Sequence, residues 1–388
     1  MSPTKVEDRL LDWRREFPTV EATLHFISHS LGAMPRAAEE SLRSYADTWK
    51  TRSIRAWEEQ WFERPARLGD TIGRILQAQP GAVSIHPNTT MAQAVALSAL
   101  DFSPPRNRLV CTAEDFPSLL YLYEGLARRG IDVVRVSARE RHSIDEQDVV
   151  AAIDERTAVV AVSQVLFRSS QVLDVAPIVR RAREVGALVM LDAYQAIGVV
   201  PVDVAAMDVD LLAGGTIKWL CGGPGVGYLY ARPSLQLRPA LTGWMAHERP
   251  FDFDSGAMRW SEGARRFQTG TPSIPSVLAA QPGAEIVAEI GAGRIREKSL
   301  RLTERMIGWA DEFGIAVASP REPARRGGTV VLDIPHADRV CQALLQADMM
   351  LDYRPGVGIR LAPHFYTRDD EVDMAMKKVR QEVERAGS

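Results

Sequence analysis

The feature that most constrains the fold of this chain is an apolar run, residues 189–191, that ends in Asp192. Such a run predicts a buried strand, which brings one carboxylate to the C-terminal edge of a sheet, where open α/β sheets bind ligands. A second apolar run, residues 211–215, predicts another buried strand, and Lys218 follows it 26 residues after Asp192. An aspartate and a lysine delivered by two such strands indicate a chemical site at that edge.

This pair of residues matches the requirements of pyridoxal 5'-phosphate (PLP). An acid beside the pyridine nitrogen keeps the ring protonated, so the ring can withdraw electrons from the substrate Cα, and Asp192 is the candidate. A lysine forms the Schiff base when burial and nearby cations depress its pKa, and Lys218 is the candidate. Two other interpretations are a helix-capping Asp192 with a solvated Lys218, and a nucleotide loop at residues 222–225. That loop lacks both the Gly-x-Gly-x-x-Gly pattern and a following helix.

The segments around Asp192 and Lys218 resemble those of the kynureninases and their relatives among the class V aminotransferases, and the resemblance spans most of the chain. It includes Ser30-Leu31-Gly32 with Pro35, Asn88-Thr89-Thr90, Asp115-Phe116-Pro117-Ser118, Gly243-Trp244 with His247, Arg266-Phe267-Gln268-Thr269-Gly270-Thr271-Pro272, Asp352-Tyr353-Arg354-Pro355 and Gly358-Ile359-Arg360-Leu361-Ala362-Pro363. It implies fold type I of the PLP-dependent enzymes, an α/β fold with a large, mostly parallel sheet domain and a smaller α/β domain. It also implies a homodimer with the active site at the subunit interface.

The order of the predicted elements agrees with that fold. Strand-like and helix-like segments alternate from about residue 65 to 285, which predicts a largely parallel sheet covered by helices on both faces. Beyond about residue 290 a long charged helix over residues 294–313 precedes another apolar segment. We therefore predict an N-terminal segment, 1–64, that packs with the small domain, a large PLP-binding domain, 65–288, and a C-terminal small domain, 289–388.

Composition argues against several other classes of function. A formal net charge of −3 gives no electrostatic footprint for nucleic acid. Cys111, Cys221 and Cys341 form no disulfide framework and lack the spacing of a metal site, so we expect no metal and a reducing compartment. Residues 1–8 lack an apolar signal core, and no run approaches the ~18 apolar residues of a membrane helix. The expected location is the cytoplasm, without a membrane anchor.

The PLP phosphate requires hydrogen-bond donors, and Asn88-Thr89-Thr90 supplies them in a predicted loop before a helix over residues 91–100. The N–H groups of a helix N-terminus, with two hydroxyls, form an anion site. Thr89 and Thr90 are therefore candidate phosphate ligands, although threonine is also an ordinary helix cap. By the resemblance, Phe116 stacks on the pyridine ring as one flat face against another.

Four further cofactor contacts are predicted by the same resemblance. Gln195 and Thr216 lie close in sequence to Asp192 and Lys218, respectively. Trp244 and Thr271 match positions that complete the phosphate site in the family, with the threonine segment coming from a second subunit. A large interface aromatic is the alternative role for Trp244.

The substrate side of the site is predicted around Arg360. A planar guanidinium binds an amino-acid carboxylate through two parallel hydrogen bonds, and Arg354 is the alternative. Either arginine could instead form a surface ion pair. His29 and Tyr194 are also candidate substrate contacts, and an aryl pocket could be lined by His29, Tyr194, Trp57, Trp61 and His247.

Four positions depart from the kynureninase pattern. Ile217 replaces the tyrosine that precedes the lysine, His29 replaces the Asn before Ser-Leu-Gly, Leu119 replaces an acid, and Gln195 replaces the histidine three residues after the aspartate. These changes leave PLP binding intact as a prediction and put the substrate in question.

The expected reaction is therefore hydrolytic cleavage of the Cβ–Cγ bond of a small or aromatic α-amino acid, with Lys218 as the base at Cα. A β-lyase that expels sulfur and an aminotransferase stay open as alternatives. A desulfurase is disfavoured because it requires a mobile nucleophilic cysteine in a loop, whereas Cys341 lies in an amphipathic helical pattern. A non-catalytic binding protein is disfavoured because Asp192 and Lys218 are both present.

Overall fold

A computed structural model of the chain describes residues 8–387. In this part of the chain the strands are β1 (Leu24–His25), β2 (Val83–His86), β3 (Arg108–Thr112), β4 (Asp132–Val136), β5 (Thr157–Ser163), β6 (Leu188–Asp192), β7 (Leu211–Gly215), β8 (Gly227–Ala231), β9 (Ala316–Val317), β10 (Val330–Asp333), β11 (Met349–Met350), β12 (Asp352–Arg354) and β13 (Gly358–Leu361). The α-helices are α1 (Thr19–Ala22), α2 (Arg36–Arg52), α3 (Arg64–Ile75), α4 (Thr89–Leu97), α5 (Pro117–Ala127), α6 (Glu146–Ala152), α7 (Ala176–Val185), α8 (Ile274–Ile290), α9 (Ala292–Glu312), α10 (Ala337–Gln346) and α11 (Asp369–Gly387).

The large sheet has the strand order β2-β8-β7-β6-β5-β3-β4. All neighbouring strands from β7 to β4 pair in parallel, whereas β8 runs antiparallel to both β7 and β2. This mostly parallel sheet with an antiparallel edge confirms the predicted fold class.

The central strands are apolar on both faces because helices cover both faces. Successive side chains of a strand point to opposite faces, so each strand contributes to two cores. The core on the side of α7 includes Val160, Leu191 and Leu212. The core on the side of α4 and α5 includes their neighbours Val159, Met190 and Leu211.

The smaller C-terminal unit contains an antiparallel sheet of order β12-β13-β10-β9. Its core lies between this sheet and α9, α10 and α11. Strand β1 pairs in parallel with β11, which joins the N-terminal segment to this unit, while α2 packs on α8. The segment boundaries at 64/65 and 288/289 stay predictions, and residues 1–7 and 388 lie outside the described residues.

Helix α4 begins earlier than the sequence predicts. Thr89 and Thr90 are its first residues instead of loop residues, and Asn88 is the N-cap. The reason is local, because the Asn88 side chain accepts a hydrogen bond from the Met91 N–H at 2.9 Å and so satisfies one free donor of the first turn.

Residues 8–387 contain neither a membrane-spanning helix nor a cluster of metal-binding side chains. No helix there is both long and apolar enough to cross a membrane. No group of three or more His, Cys, Asp or Glu side chains in the same residues is arranged to hold a metal ion.

A buried ion pair between Arg14 and Glu371 connects the N-terminal segment with α11. Arg14 and Glu371 have side-chain exposures of 8% and 5%, and two guanidinium nitrogens of Arg14 donate to the two carboxylate oxygens at 2.7 and 2.9 Å. Arg14 also donates to the main-chain oxygen of Tyr366 at 2.9 Å. Its Nε donates to the exposed Glu21 at 2.8 Å, so Glu371 is the buried one of two counter-ions.

We predict that Glu371→Ala lowers the free energy of unfolding by about 1.5–3 kcal/mol, because the buried Arg14 loses two charge-assisted hydrogen bonds and keeps only the exposed Glu21 as a counter-ion. The matched control is Glu39→Ala, which removes an exposed i,i+4 partner of Arg43 and should change stability by less than about 0.5 kcal/mol. Urea unfolding monitored by circular dichroism measures both changes. Equal small losses for the two variants would contradict a structural role for the buried pair.

Candidate active site

The site forms where parallel strands end at one edge of the large sheet. In the register of the sheet, Ser163 at the end of β5 lies beside Asp192 at the end of β6, and Asp192 lies beside Ala213 of β7. Lys218 follows β7 after a short bend. Asp192 and Lys218 therefore lie at the same site because β6 and β7, the strands that precede them, are neighbours in the sheet.

A cavity of about 210 Å³ opens at this edge. It brings together seven of the predicted site residues: Thr89, Thr90, Phe116, Asp192, Tyr194, Gln195 and Lys218. It is also lined by Asn88, Ser118, Leu119, Ser163, Val165 and Phe167.

Lys218 extends between two aromatic rings of this cavity. Its Nζ lies 4.2 Å from the ring centroid of Tyr194 and 5.6 Å from that of Phe116. Burial lowers its pKa to about 7, the Asp192 charge opposes this change, and Arg360 adds to it. The unprotonated amine, which is the state that attacks a carbonyl carbon, is therefore favoured relative to an ordinary lysine.

Asp192 is almost fully buried, and its Oδ1 accepts a hydrogen bond from the Tyr194 N–H at 2.8 Å. Burial raises its pKa to about 6, while this hydrogen bond and the charge of Lys218 lower it. A further cation placed beside the carboxylate, such as a protonated pyridine nitrogen, would favour its ionised form.

The N-terminus of α4 fits an anionic group. The Thr89 hydroxyl is buried and has no hydrogen-bond partner among residues 8–387, so it is available to a ligand. A Cβ on Gly227 would lie only 2.3 Å from the Asn88 carbonyl carbon, so glycine in β8 is what lets this helix terminus approach the sheet edge. A hydroxyl and a helix N-terminus at one end of the cavity, with Asp192 and Lys218 in its lining, fit PLP.

Gln195 and Thr216 have defined structural partners. The Gln195 amide donates to the His29 main-chain oxygen at 3.0 Å and accepts from Trp219 Nε1 at 3.1 Å, although its side chain also lines the cavity. Thr216 is buried outside the cavity lining, and its hydroxyl donates to the Gly223 main-chain oxygen at 3.3 Å. Thr216 thus stabilises the turn after Lys218, and its predicted cofactor contact stays a prediction.

Trp244 and Thr271 lie outside this cavity. Trp244 is partly exposed and stacks on Phe253, with ring centroids 5.9 Å apart. Thr271 is exposed. The expectation that both complete the site across a subunit interface stays a prediction.

The aryl-pocket residues are not gathered in one place within a single chain. Tyr194 lines the cavity, whereas Trp57 and Trp61 belong to an apolar cluster with Tyr45. His247 is buried, and its Nδ1 accepts a hydrogen bond from the Arg249 N–H at 3.1 Å.

Arg360 and His29 share one acid, Asp352. Arg360 Nε and Nη2 donate to the two oxygens of Asp352 at 2.8 and 2.5 Å, and His29 Nε2 lies 3.0 Å from Oδ1. The exposed Arg354 is a third partner at 3.1 Å. Burial would raise the pKa of Asp352, but hydrogen bonds from His29 and Arg360 hold it well below its usual range.

Three residues of this region were missed in the sequence. Asp352 carries no signal that links it to His29, because that partner is 323 residues away in the chain. Ser163 could have been found by the rule that identified Asp192, since it also ends a buried strand. Phe167 carries no local signal, yet it lines the cavity and its main-chain oxygen accepts from Arg360 Nη1 at 2.6 Å.

We predict that PLP added to the apoprotein bonds to Lys218 with a pH dependence centred near 7. Because the pKa is lowered, the reactive amine is abundant above pH 7 and falls about tenfold per unit below it. The rise of the visible absorption band between pH 5.5 and 9 measures the rate, with Lys218→Ala as the control. A rate that still rises about tenfold per unit up to pH 9, as for a lysine with the ordinary pKa of 10.5, would contradict the desolvation of this side chain.

Comparison with known proteins agrees with this geometry. Residues 37–358 match the family model described as Aminotransferase class-V. Kynureninases from Bacillus thuringiensis subsp. konkukian and Geobacillus thermodenitrificans are both 31% identical to this chain. Each alignment covers 97% of this chain, together with 93% of the first relative and 92% of the second. The apo structure of a cysteine desulfurase from Thermococcus onnurineus NA1 superposes with a TM-score of 0.84 at 21% identity, covering 96% of this chain and 98% of that one.

These matches confirm the fold type and the predicted family resemblance. They also confirm, at the level of the family, the predictions of an enzyme and of PLP as its cofactor. The desulfurase likeness shows the fold alone because the identity is low. The chain belongs to the class V aminotransferase family.

Proposed function

We propose that this protein is a kynureninase-like hydrolase that cleaves the Cβ–Cγ bond of an α-amino acid with a γ-carbonyl group. The observation that carries the choice of reaction is the set of relatives named kynureninase, which align with 97% of the chain at 31% identity. The cavity with Lys218, Asp192 and the α4 N-terminus supports the PLP chemistry on which that reaction depends.

Arg360 is the proposed anchor for the substrate carboxylate. A guanidinium has five N–H donors, of which Asp352 takes one on Nε and one on Nη2, while the Phe167 oxygen takes one on Nη1. One N–H therefore remains on each terminal nitrogen. Two donors on neighbouring nitrogens suit the two oxygens of a carboxylate, and Asp352 and Phe167 hold the group in place.

The other residues divide the chemistry among them. PLP, when bound, withdraws electrons from the bond broken at the substrate Cα. Asp192 keeps the pyridine nitrogen protonated, and the Lys218 amine accepts the Cα proton. Water adds to the γ-carbonyl, the Cβ–Cγ bond breaks, Cβ takes up a proton and Lys218 returns a proton to Cα, so the products are alanine and a carboxylic acid.

The positions of the cysteines support this reaction over desulfuration. Cys111 lies in β3, Cys221 in the turn after Lys218, and Cys341 in α10, and all three are buried and unpaired. Burial raises the pKa of Cys221 to about 12. A thiol in that state is a poor nucleophile. Their unpaired state also supports a proposed cytoplasmic location.

We also propose a homodimer in which each subunit completes the site of the other. Trp244 packs with the exposed Phe251 and Phe253, which together form an apolar surface patch. Such a patch on a protein of this size is typical of an interaction site. Light scattering coupled to gel filtration tests the dimer directly.

The first experiment is turnover of kynurenine by the PLP-loaded protein, with alanine release as the readout. We predict cleavage by the wild type and a loss of at least about 10²–10⁴-fold in Lys218→Ala, which lacks the base at Cα. Unchanged circular dichroism and oligomeric state serve as the folding control. Substantial turnover by the variant would refute the role of Lys218.

Two other results would change the reaction assignment. Release of a sulfur-containing product from cysteine derivatives, without alanine release from kynurenine, would indicate a β-lyase. Transfer of the amino group to a 2-oxo acid would indicate an aminotransferase. Either result would reject hydrolysis and keep the proposed site.

A second prediction concerns the carboxylate anchor. Arg360→Lys keeps the positive charge but removes the planar fork, so kcat/KM should fall about 10–100-fold, mainly through a higher KM. The matched control is Arg354→Lys on the same acid, which should change kcat/KM less than about threefold. The reverse order of effects would assign the carboxylate to Arg354.

A further inference from the structure

His29 is buried beside the active site. Its ring is 1% exposed, and its main-chain oxygen accepts the hydrogen bond from Gln195, whose side chain lines the cavity. The loop that follows it packs on the lysine segment, where the Gly32 N–H donates to the Ile217 oxygen at 2.8 Å. A Cβ on Gly32 would lie 2.1 Å from the Lys218 main-chain oxygen. This close packing holds the loop that carries His29 against Lys218.

The contact with Asp352 determines which nitrogen of His29 carries hydrogen. Asp352 is held ionised by Arg360, so its oxygens only accept, and the hydrogen of the neutral ring lies on Nε2. Nδ1 is therefore an acceptor. It is buried and has no hydrogen-bond partner among residues 8–387.

Burial, aided by two nearby positive charges, keeps the His29 ring neutral. Burial lowers its pKa to about 4, and the positive charges of Arg360 and Lys218 lower it further, although the hydrogen bond and charge of Asp352 raise it. At neutral pH Nδ1 thus presents a lone pair instead of a hydrogen. A buried acceptor without a donor is unfavourable, and a ligand that supplies a donor removes that penalty.

We propose that His29 Nδ1 accepts a hydrogen bond from an N–H or O–H group on the side chain of the substrate, and that Asp352 is the positioning residue that keeps Nδ1 an acceptor. This inference rests on the proposed function, because it assumes an amino acid anchored at Arg360. It narrows the substrate class to amino acids with a side-chain donor, such as the ring amine of kynurenine. One acid thereby orients both the carboxylate anchor and the side-chain acceptor.

Two substitutions distinguish the role of Nδ1 from the role of Nε2 in His29. In His29→Asn the amide oxygen is bonded to Cγ, as Nδ1 is in histidine, so an acceptor remains there while the contact with Asp352 is lost. In His29→Gln the polar atoms lie one bond further out, so the contact with Asp352 can form while the acceptor at Nδ1 is lost. His336→Asn, at the exposed N-cap of α10, is the matched control.

The test compares kynurenine with the otherwise identical amino acid that has hydrogen in place of the ring amine. The readout is the ratio of their kcat/KM values within each variant, which cancels changes in carboxylate binding. We expect the wild type, His336→Asn and His29→Asn to prefer kynurenine about tenfold, the worth of one hydrogen bond. His29→Gln should show a ratio near one. Asp352→Asn should lower the ratio, because an amide can donate to Nε2 and move the ring hydrogen to Nδ1.

Equilibrium titration of the PLP absorption band with the same two compounds provides a second readout, the ratio of their dissociation constants. Binding of both without cleavage would reject the proposed reaction and still test His29 through this ratio. A wild-type ratio near one, or a preference that survives in His29→Gln, would overturn the inference about His29. Failure of both compounds to bind would overturn both proposals.

Discussion

The parallel pairing of β5, β6 and β7 is the constraint on which the rest of this protein depends. Parallel strands point the same way, so Ser163, Asp192 and the segment leading to Lys218 all leave the sheet at one edge. Both faces of these strands are covered by helices, and their apolar side chains divide between the two resulting cores. The sheet edge is therefore where polar groups collect, and the N-terminus of α4 reaches it because β8 has glycine at position 227.

Desolvation at that edge gives the polar groups their reactivity. The same burial that lowers the pKa of Lys218 to about 7 raises that of Asp192 to about 6. A cavity that held neither a cofactor nor a substrate would be more stable with apolar side chains at both positions. Asp352 differs from Asp192 in that its pKa is lowered, because Arg360 and His29 donate hydrogen bonds to it and keep it ionised. Its charge in turn fixes the orientation of both partners.

The local signals in the sequence were reliable where one segment carried the whole feature. Asp192 ends its strand as predicted, and the large sheet is mostly parallel. The sequence-based prediction put the start of α4 two residues too late. The side chain of Asn88 caps the helix, so Thr89 and Thr90 are its first two residues. Thr216, close to Lys218 in sequence, donates its hydroxyl to the Gly223 main-chain oxygen, and its predicted cofactor contact stays a prediction.

The sequence by itself determined the fold class, the family and the pairing of Asp192 with Lys218, because each rests on short-range patterns of apolar, acidic and glycine residues. Only the tertiary structure decided which groups Asp352 holds. Its partner His29 is 323 residues away in the chain, and no local pattern encodes such a contact. Within residues 8–387, the unpartnered Nδ1 of His29 and the two remaining N–H donors of Arg360 result from the packing of the N-terminal loop, β12 and β13 beside the sheet edge, because hydrogen-bond satisfaction depends on all three at once.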